Sequence, residues 1–269
     1  MVVGGRFLRW RVRLWRQPVK RIQRIQEMHR THERMKQTML FVRHGQTTWN
    51  VEHRLPGQLP GVELNDTGRQ QARKLADALS VLPISSVISS PLERAYETAK
   101  IVINGKNLDI QTDPDLMDTN VGPWSGQVIE ELSKNDSAWK AYVRDPNVAP
   151  EGVETFPQVQ QRVVAAVERW RERDDIGPYP LFVAHADVVK LIIAYYTGLE
   201  TGKAGSLHID NASVSLVEFE KEQPPHVIAI GWTPNPGWLK APTPEILKPK
   251  EDTQKQEETL EQKEGEQKS

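Results

Sequence analysis

The sequence predicts an α/β protein, a three-layer α/β/α sandwich around a mostly parallel central sheet. The first observation behind this prediction is an alternation along the chain. Short apolar segments typical of buried strands are separated by longer segments whose apolar residues recur at three- and four-residue spacing, as in amphipathic helices. Such alternation favours a parallel sheet with helices on both faces. The second observation is size, since 269 residues, of which 38% are apolar, suffice for a large core.

Charge divides the chain into three regions. Residues 1–38 contain eleven Lys or Arg and two Glu, a net charge of +9. Residues 39–239 carry a net charge of −8 and contain all the strand and helix patterns, whereas residues 240–269 carry a net charge of −2. We therefore expect a basic N-terminal extension, a single domain over residues 39–239 and a charged tail.

The two flanking regions allow different interpretations. The basic extension alternates apolar residues with arginines, which suits an anionic membrane, nucleic acid or an organellar transit peptide. It could equally be a solvated helix without function, or precede the true start, because Met35 and Met39 lie just before the first strand. The tail has almost no apolar residues after Leu247, so we expect disorder, with a short charged helix as the alternative.

The predicted elements follow one another through the central region. Asn65, Asp66 or Thr67 is expected to cap the first helix, Pro91 to open the second, and Gly198 to end the last. Residues 105–126 are expected to form a loop. The predicted strands are MLFVR (39–43), VISS (87–90), PLFVAH (180–185) and a hairpin of SVSLVEF (213–219) and HVIAIGW (226–232), and the predicted helices are GRQQARKLADAL (68–79), PLERAYETAKIVI (91–103), FPQVQQRVVAAVERWRER (156–173) and DVVKLIIAYYTG (187–198).

Polar residues follow three of the predicted parallel strands. Arg43 and His44 come after the first strand, Arg94 lies one turn into the helix after the second, and His185 directly follows the third. Ligands of such sheets bind outside the carboxyl ends of the strands, so these four groups are expected to meet. Guanidinium groups bind phosphate oxygens, and an imidazole can act as a nucleophile. Two histidines could instead bind a metal, but the arginines would repel the ion, so phosphate is favoured and no metal is expected.

Six segments, in this order, resemble the histidine phosphatase superfamily, also called the phosphoglycerate mutase-like family: RHGQTTWN, LNDTGRQQA, SSPLERAYETA, LMDTNVGPWSG, EGVETFPQVQQRV and VAHADVVK. The resemblance covers nearly the whole central region and implies a phosphoglycerate mutase-like fold. It implies that His44 is the nucleophile and forms a phosphohistidine. It also implies that Arg43, Arg94 and His185 bind the transferred phosphate, and that Asn50 makes an accessory phosphate contact.

The general acid is where the sequence departs from the commonest pattern of this family. The resemblance implies a glutamate just before the G-x-W-x-G segment, and Asp118 stands there instead. Aspartate can do the same proton transfers if its surroundings keep it protonated. The fallback acids are Asp113, Asp115 and Glu154, and Glu154 matches a carboxylate common in phosphatase members, which makes it a possible pocket residue.

The resemblance implies a phosphomonoesterase, a histidine acid-type phosphatase that acts on small phosphate esters without metal or other cofactor. The alternatives are cofactor-dependent mutase-type phosphoryl transfer and a phosphate-binding protein whose catalysis is weak or lost. The acidic centre favours a small phosphorylated metabolite over nucleic acid as the partner of the core. With no cysteine in the chain, a reducing and hence cytoplasmic location is expected. The substrate and the oligomeric state stay open.

Overall fold

A computed structural model of the protein describes residues 36–234. The predictions for the basic extension before residue 36 and for the charged tail lie outside the described residues. In chain order, the elements are β1 (Gln37–Arg43), α1 (Thr48–Val51), α2 (Asp66–Leu79), β2 (Ser86–Ser89), α3 (Glu93–Val102), β3 (Ile110–Thr112), two 3₁₀ helices (Pro114–Leu116 and Gly122–Trp124), α4 (Ile129–Asn135), α5 (Ser137–Arg144), α6 (Phe156–Arg171), β4 (Pro180–Ala184), α7 (Ala186–Thr197), a further 3₁₀ helix (Thr201–Ser206), β5 (Val214–Phe219) and β6 (His226–Trp232).

The six strands form one sheet in the order β3-β2-β4-β1-β5-β6. Strands β1 to β4 are parallel, whereas β5 runs antiparallel to its neighbours β1 and β6. Arg43 pairs with Ala184, and Ser89 pairs with Val183, so β1, β4 and β2 end at neighbouring points of one edge. The predicted mostly parallel α/β sandwich is confirmed, and so is the hairpin of β5 and β6.

Helices cover both faces of the sheet, which explains the uninterrupted apolar sequence of β1. Met39 and Phe41 belong to the core formed with α6 and α7, whereas Leu40 and Val42 belong to the core formed with α2 and α3. Successive side chains of a strand point to opposite faces, so a strand covered on both sides needs apolar residues throughout. Among the helices of residues 36–234, none is long and apolar enough to span a membrane.

The helix boundaries follow the local capping chemistry. Asn65 caps α2, since its side chain accepts a hydrogen bond from the Gly68 N–H, and Gly198 ends α7 in the left-handed conformation with a φ of 70°. The expectation that Pro91 opens α3 is wrong. The helix begins at Glu93, because Leu92 has an extended backbone and donates its N–H to Ser90.

The sequence reading missed several short elements. Strand β3 and two 3₁₀ helices lie inside the segment that was expected to be a loop, and helices α4 and α5 follow it. Strand β3 has only three residues, none of them buried, because it lies at the edge of the sheet. An apolar run is therefore not required there.

Two glycines allow the chain after β1 to lie against the first turn of α2. A Cβ atom on Gly45 would be 2.5 Å from the carbonyl oxygen of Gly68, and a Cβ atom on Gly68 would be 2.1 Å from the carbonyl oxygen of Gln46. Both contacts are with backbone atoms, which cannot move aside as a side chain can. The contact therefore fixes the path of the chain just beyond the end of β1.

We expect Gly68→Ala to lower the free energy of unfolding by about 1–3 kcal/mol, because overpacking against a backbone atom costs that much. Alanine is the better helix former by about 1 kcal/mol, so a net loss has to come from the close contact. Gly205→Ala is the control, since a Cβ atom there would meet nothing within 4 Å. Urea denaturation measures both variants, and equal stabilities would contradict the argument.

Candidate active site

His44 directly follows β1 and is buried, with 2% of its surface exposed. Its Nδ1 lies 2.7 Å from the carbonyl oxygen of Gly45. A carbonyl can only accept a hydrogen bond, so Nδ1 carries the proton and Nε2 keeps its lone pair. Burial, and then the positive charges of Arg94 and Arg43, hold the pKa of His44 well below 6.5. The imidazole is therefore neutral, and Nε2 is available as a nucleophile.

His185 directly follows β4 and lies beside His44, with 5.3 Å between the ring centroids. Its Nε2 is 2.9 Å from the hydroxyl oxygen of Ser90, and its Nδ1 is 3.7 Å from Oδ2 of Asp118. Burial, followed by the charge of Arg94, also holds the pKa of His185 well below 6.5. When the Ser90 hydroxyl donates to Nε2, the proton of this neutral ring is on Nδ1, which faces Asp118.

Two guanidinium groups lie next to these rings. Arg94 on α3 is fully buried, and its Nη2 donates to the carbonyl oxygen of Gly57 at 2.8 Å and to Oδ2 of Asp118 at 3.1 Å. Arg43 is only partly buried, and its Nη1 donates to the carbonyl oxygen of Ile209 at 2.7 Å. These contacts use only one nitrogen of each guanidinium group, Nη2 of Arg94 and Nη1 of Arg43, although each group carries five N–H donors.

Other nitrogen atoms of the two arginines, and one of His185, have no hydrogen-bond acceptor within residues 36–234. Nε and Nη1 of Arg94, Nε of Arg43 and Nδ1 of His185 are buried and have no hydrogen-bond partner among the described residues. Buried donors in proteins are almost always paired, so this cluster is suited to a ligand with several acceptor oxygens. The cluster carries more positive than negative charge, which favours a multiply charged oxyanion such as phosphate.

Asp118 lies in the loop between the two 3₁₀ helices, with 16% of its side chain exposed. Its Oδ1 accepts a hydrogen bond from the Thr119 N–H, and its Oδ2 contacts Arg94. Burial raises the pKa of the Asp118 carboxyl, Arg94 opposes that rise, and the negative charge of Asp187 adds to it. A carboxyl group with a raised pKa beside His185 is placed to transfer a proton at this site.

Asn50 lies on α1 and is linked to the backbone of His44. Its Oδ1 accepts hydrogen bonds from the Thr47 N–H at 3.0 Å and from the side-chain amide of Asn211 at 3.2 Å. The same amide of Asn211 donates to the carbonyl oxygen of His44 at 3.2 Å. Asn50 thus helps to hold His44 in place, and its direct contact with phosphate stays a prediction.

Glu154 has both carboxylate oxygens occupied. Oε1 accepts from Nε of Arg162 at 2.8 Å, and Oε2 accepts from Nη2 of Arg162 and from the N–H of Asn120. Although burial opposes it, the hydrogen bonds from Arg162 and Asn120 lower the pKa of Glu154. An ionised, fully occupied carboxylate is poorly suited to act as the acid, and its place in the pocket stays a prediction.

The other two fallback acids are paired with residues of α6. Oδ2 of Asp113 accepts hydrogen bonds from Nε1 of Trp170 at 2.6 Å and from Nη2 of Arg169 at 2.8 Å. Asp115 pairs with the same guanidinium at 3.1 Å. Both carboxylates therefore attach the loop to α6, and the geometry favours Asp118 as the acid.

Several residues that support the site were not predicted to belong to it. Thr98 accepts a hydrogen bond from the Gly45 N–H at 3.0 Å and donates to the carbonyl oxygen of Arg94 at 2.7 Å. Ser90 contacts His185, and its position after β2 was a usable signal. Thr98 had a weaker one, as a polar residue one turn after Arg94 on the buried face of α3. Within residues 36–234, no three His, Asp or Glu side chains converge in a way that could hold a metal ion.

Comparison with known proteins agrees with this geometry. The Bifunctional protein Rv2228c of Mycobacterium tuberculosis is 34% identical over 187 residues, which are 67% of this chain and 50% of that protein. This chain thus spans about half the length of that relative. The Probable phosphoglycerate mutase GpmB of Shigella boydii is 32% identical over 195 residues, 71% of this chain and 88% of that protein.

Solved structures and a family model extend the comparison. The mycobacterial glucosyl-3-phosphoglycerate phosphatase Rv2419c has a TM-score of 0.63 and 26% identity, and the match covers 73% of this chain and 99% of that one. The model of the histidine phosphatase superfamily (branch 1) matches residues 39–231. The resemblance inferred from the six sequence segments is therefore confirmed, and the chain belongs to the histidine phosphatase superfamily, branch 1.

Proposed function

We propose that this chain hydrolyses small phosphate monoesters through a phosphohistidine formed on His44. The observation that supports the proposal most is the hydrogen bond from Nδ1 of His44 to the Gly45 carbonyl, which leaves Nε2 unprotonated inside a cluster of unpaired cationic donors. Neutral imidazole is a nucleophile, and the arginines supply the positive charge that phosphoryl transfer requires.

In the first step, the lone pair of His44 Nε2 attacks phosphorus and the P–O bond to the leaving group breaks. Asp118 gives its carboxyl proton to the departing oxygen, so that an alcohol leaves rather than an alkoxide. The unpaired N–H groups of Arg94, Arg43 and His185 hold the phosphoryl oxygens and stabilise the charge that they carry in the transition state.

In the second step, a water molecule attacks the phosphohistidine. The Asp118 carboxylate, left by the first step, removes one proton from that water as its oxygen bonds to phosphorus. The P–N bond breaks, and its electron pair returns to His44 Nε2. Inorganic phosphate leaves, and the site is restored with a neutral imidazole and a protonated carboxyl group.

Substrate binding would itself help to protonate the acid. Without ligand, Arg94 contacts the Asp118 carboxylate at 3.1 Å and favours its ionised form. A phosphate dianion competes for that guanidinium and adds negative charge next to the carboxylate. Both effects raise the pKa of Asp118 further, which favours the protonated acid when the ester is in place.

Mutase-type phosphoryl transfer is the alternative, because one relative is named as a probable phosphoglycerate mutase. A mutase must protect its phosphohistidine from water and return the phosphoryl group to the product. Cofactor-dependent mutases resemble this chain in the signature but carry a longer insertion after the acid, and only about 30 residues separate Gly126 from Phe156 here. The shorter segment supports hydrolysis.

A cytoplasmic location and an acid-type pH optimum belong to the proposal as well.

We expect the purified protein to release phosphate from a panel of small phosphate esters near pH 6 without added metal, and His44→Ala to abolish that release. His226→Ala, which removes an exposed histidine from β6, is the control and should keep full activity. Phosphate release that survives in His44→Ala would contradict the phosphohistidine route. No release from the wild type, together with interconversion of phosphoglycerates, would instead establish the mutase.

Replacing Asp118 should have an effect that depends on the leaving group. We expect Asp118→Asn to lower kcat/KM for alkyl phosphates by about 10²–10⁴-fold, the usual contribution of an acid–base group. The loss with p-nitrophenyl phosphate should be far smaller, because its leaving group needs little protonation. Asp115→Asn is the control, in the 3₁₀ helix just before the loop that carries Asp118. Equal losses of Asp118→Asn on both substrates would remove Asp118 from the acid role.

The pH profile should reflect the depressed pKa of His44. Attack requires the neutral imidazole, and protonation becomes significant only as the pH falls to a value well below 6.5. The ester has a second phosphate pKa of about 6, and kcat/KM is corrected for that ionisation. We expect the corrected kcat/KM for p-nitrophenyl phosphate to stay constant from pH 7 to below 6.5. A corrected profile that already falls at pH 6.5 would show that His44 titrates like an exposed histidine.

A further inference from the structure

We propose that Arg162 is a positioning residue for the acid: its guanidinium group holds the backbone of the loop that carries Asp118, and so sets where the Asp118 carboxyl meets the leaving oxygen. The inference rests on the proposed function, because it assigns Arg162 a role through Asp118. Arg162 lies on α6, one of the long helices of the core, and its side chain reaches the loop that carries Asp118.

Arg162 binds three carbonyl oxygens of the loop backbone. Nη1 of Arg162 donates to the carbonyl oxygens of Asp115 at 2.7 Å and Met117 at 2.8 Å, and Nη2 donates to the carbonyl oxygen of Asp118 at 2.9 Å. The Asp118 carbonyl also accepts a hydrogen bond from the side chain of Gln58 at 2.9 Å. The backbone of the acid is thus held from two directions.

Glu154 fixes the guanidinium group from the other side. Its two oxygens accept Nε and Nη2 of Arg162, and Oε2 also accepts the N–H of Asn120. With these contacts the five N–H groups of Arg162 are all used, and the loop is attached both before and after Asp118. Lysine could not reproduce this pattern, since its donors do not form a planar fork.

The position of the loop matters because aspartate has a short side chain. With two side-chain torsions, its carboxyl group can move only a short distance from its backbone. The Asp118 carboxyl must also reach Arg94 at 3.1 Å and lie near His185 at 3.7 Å. A displacement of about 1 Å at a reacting group can cost about 10²-fold in rate, so loss of the attachment should weaken proton transfer.

Arg169 provides a natural comparison on the same helix. It pairs with the side chains of Asp113 and Asp115 and thus holds the beginning of the same loop. Its side chain is 53% exposed, and its guanidinium group donates to the carboxylates of Asp113 and Asp115. Arg162 is 18% exposed and donates to the carbonyl oxygen of Asp118 itself. Replacing either arginine should loosen the loop in general. Only the replacement of Arg162 should also misplace the Asp118 carboxyl.

The test compares Arg162→Gln with Arg169→Gln on an alkyl phosphate and on p-nitrophenyl phosphate. We expect Arg162→Gln to lower kcat/KM for the alkyl ester by about 10²-fold and for the nitrophenyl ester by less than about tenfold. Arg169→Gln should change both substrates equally. In the Asp118→Asn background, Arg162→Gln should have no further effect on the ratio of the two rates, because the group that it positions is already lost.

The outcomes separate this inference from the function on which it rests. If Asp118→Asn changes the ratio of rates and Arg162→Gln does not, the positioning role is wrong while the acid assignment stands. If Asp118→Asn itself leaves the ratio unchanged, the proposed function is wrong at that residue, and the positioning role falls with it.

A variant that fails to fold does not end the test. Should Arg162→Gln not fold, Glu154→Gln keeps the arginine and removes its counter-charge. The same change in the ratio of rates, smaller in size, is then expected. If Arg162→Gln does not fold, and a folded Glu154→Gln protein shows an unchanged ratio of the two rates, then Arg162 and Glu154 contribute only to stability. That result would overturn the inference.

Discussion

The burial of Arg94 is the constraint on which the rest of the site depends. A guanidinium group with no exposed surface has lost its hydration, and within the protein it meets one carboxylate and one carbonyl oxygen. Burying a charge is costly unless it is paired. Burial lowers the pKa of His44 and of His185, and the positive charge of Arg94 lowers both further. The same group thus attracts an anion and favours the neutral form of the imidazole that we propose attacks it.

The elements around His44, the proposed nucleophile, hold it rigidly. His44 extends from a strand paired on both sides, and the next residue is fixed by Thr98 on α3 and by the close contact with α2. Asn211 binds the His44 carbonyl from a further loop. Catalysis by orientation needs a group held to within about half an ångström, and regular elements provide that better than loops.

Asp118, the proposed acid, is placed differently, on a loop that side-chain hydrogen bonds hold in position. Asp118 lies between two short 3₁₀ helices, so its backbone has no strand or long helix to hold it. Arg162 and Gln58 replace that support with hydrogen bonds to the carbonyl oxygens of the loop. Loops are also where related enzymes of one fold differ, so this segment is where selectivity and chemistry can change without altering the sheet.

The sequence by itself determined the α/β class, most of the long helices and strands, and the edge at which Arg43, His44 and His185 meet. The elements follow from the periodicity of apolar residues, which is a local property of the chain. The shared edge follows from the topology, because parallel strands end on the same side of a sheet. The tertiary structure decided the tautomer of His44, the raised pKa of Asp118 and the attachment of its loop by Arg162. It also decided the short edge elements that sequence reading missed. These features depend on contacts between residues that are distant in the chain. The spacing of such residues along the sequence does not determine how far apart their side chains lie in the folded protein.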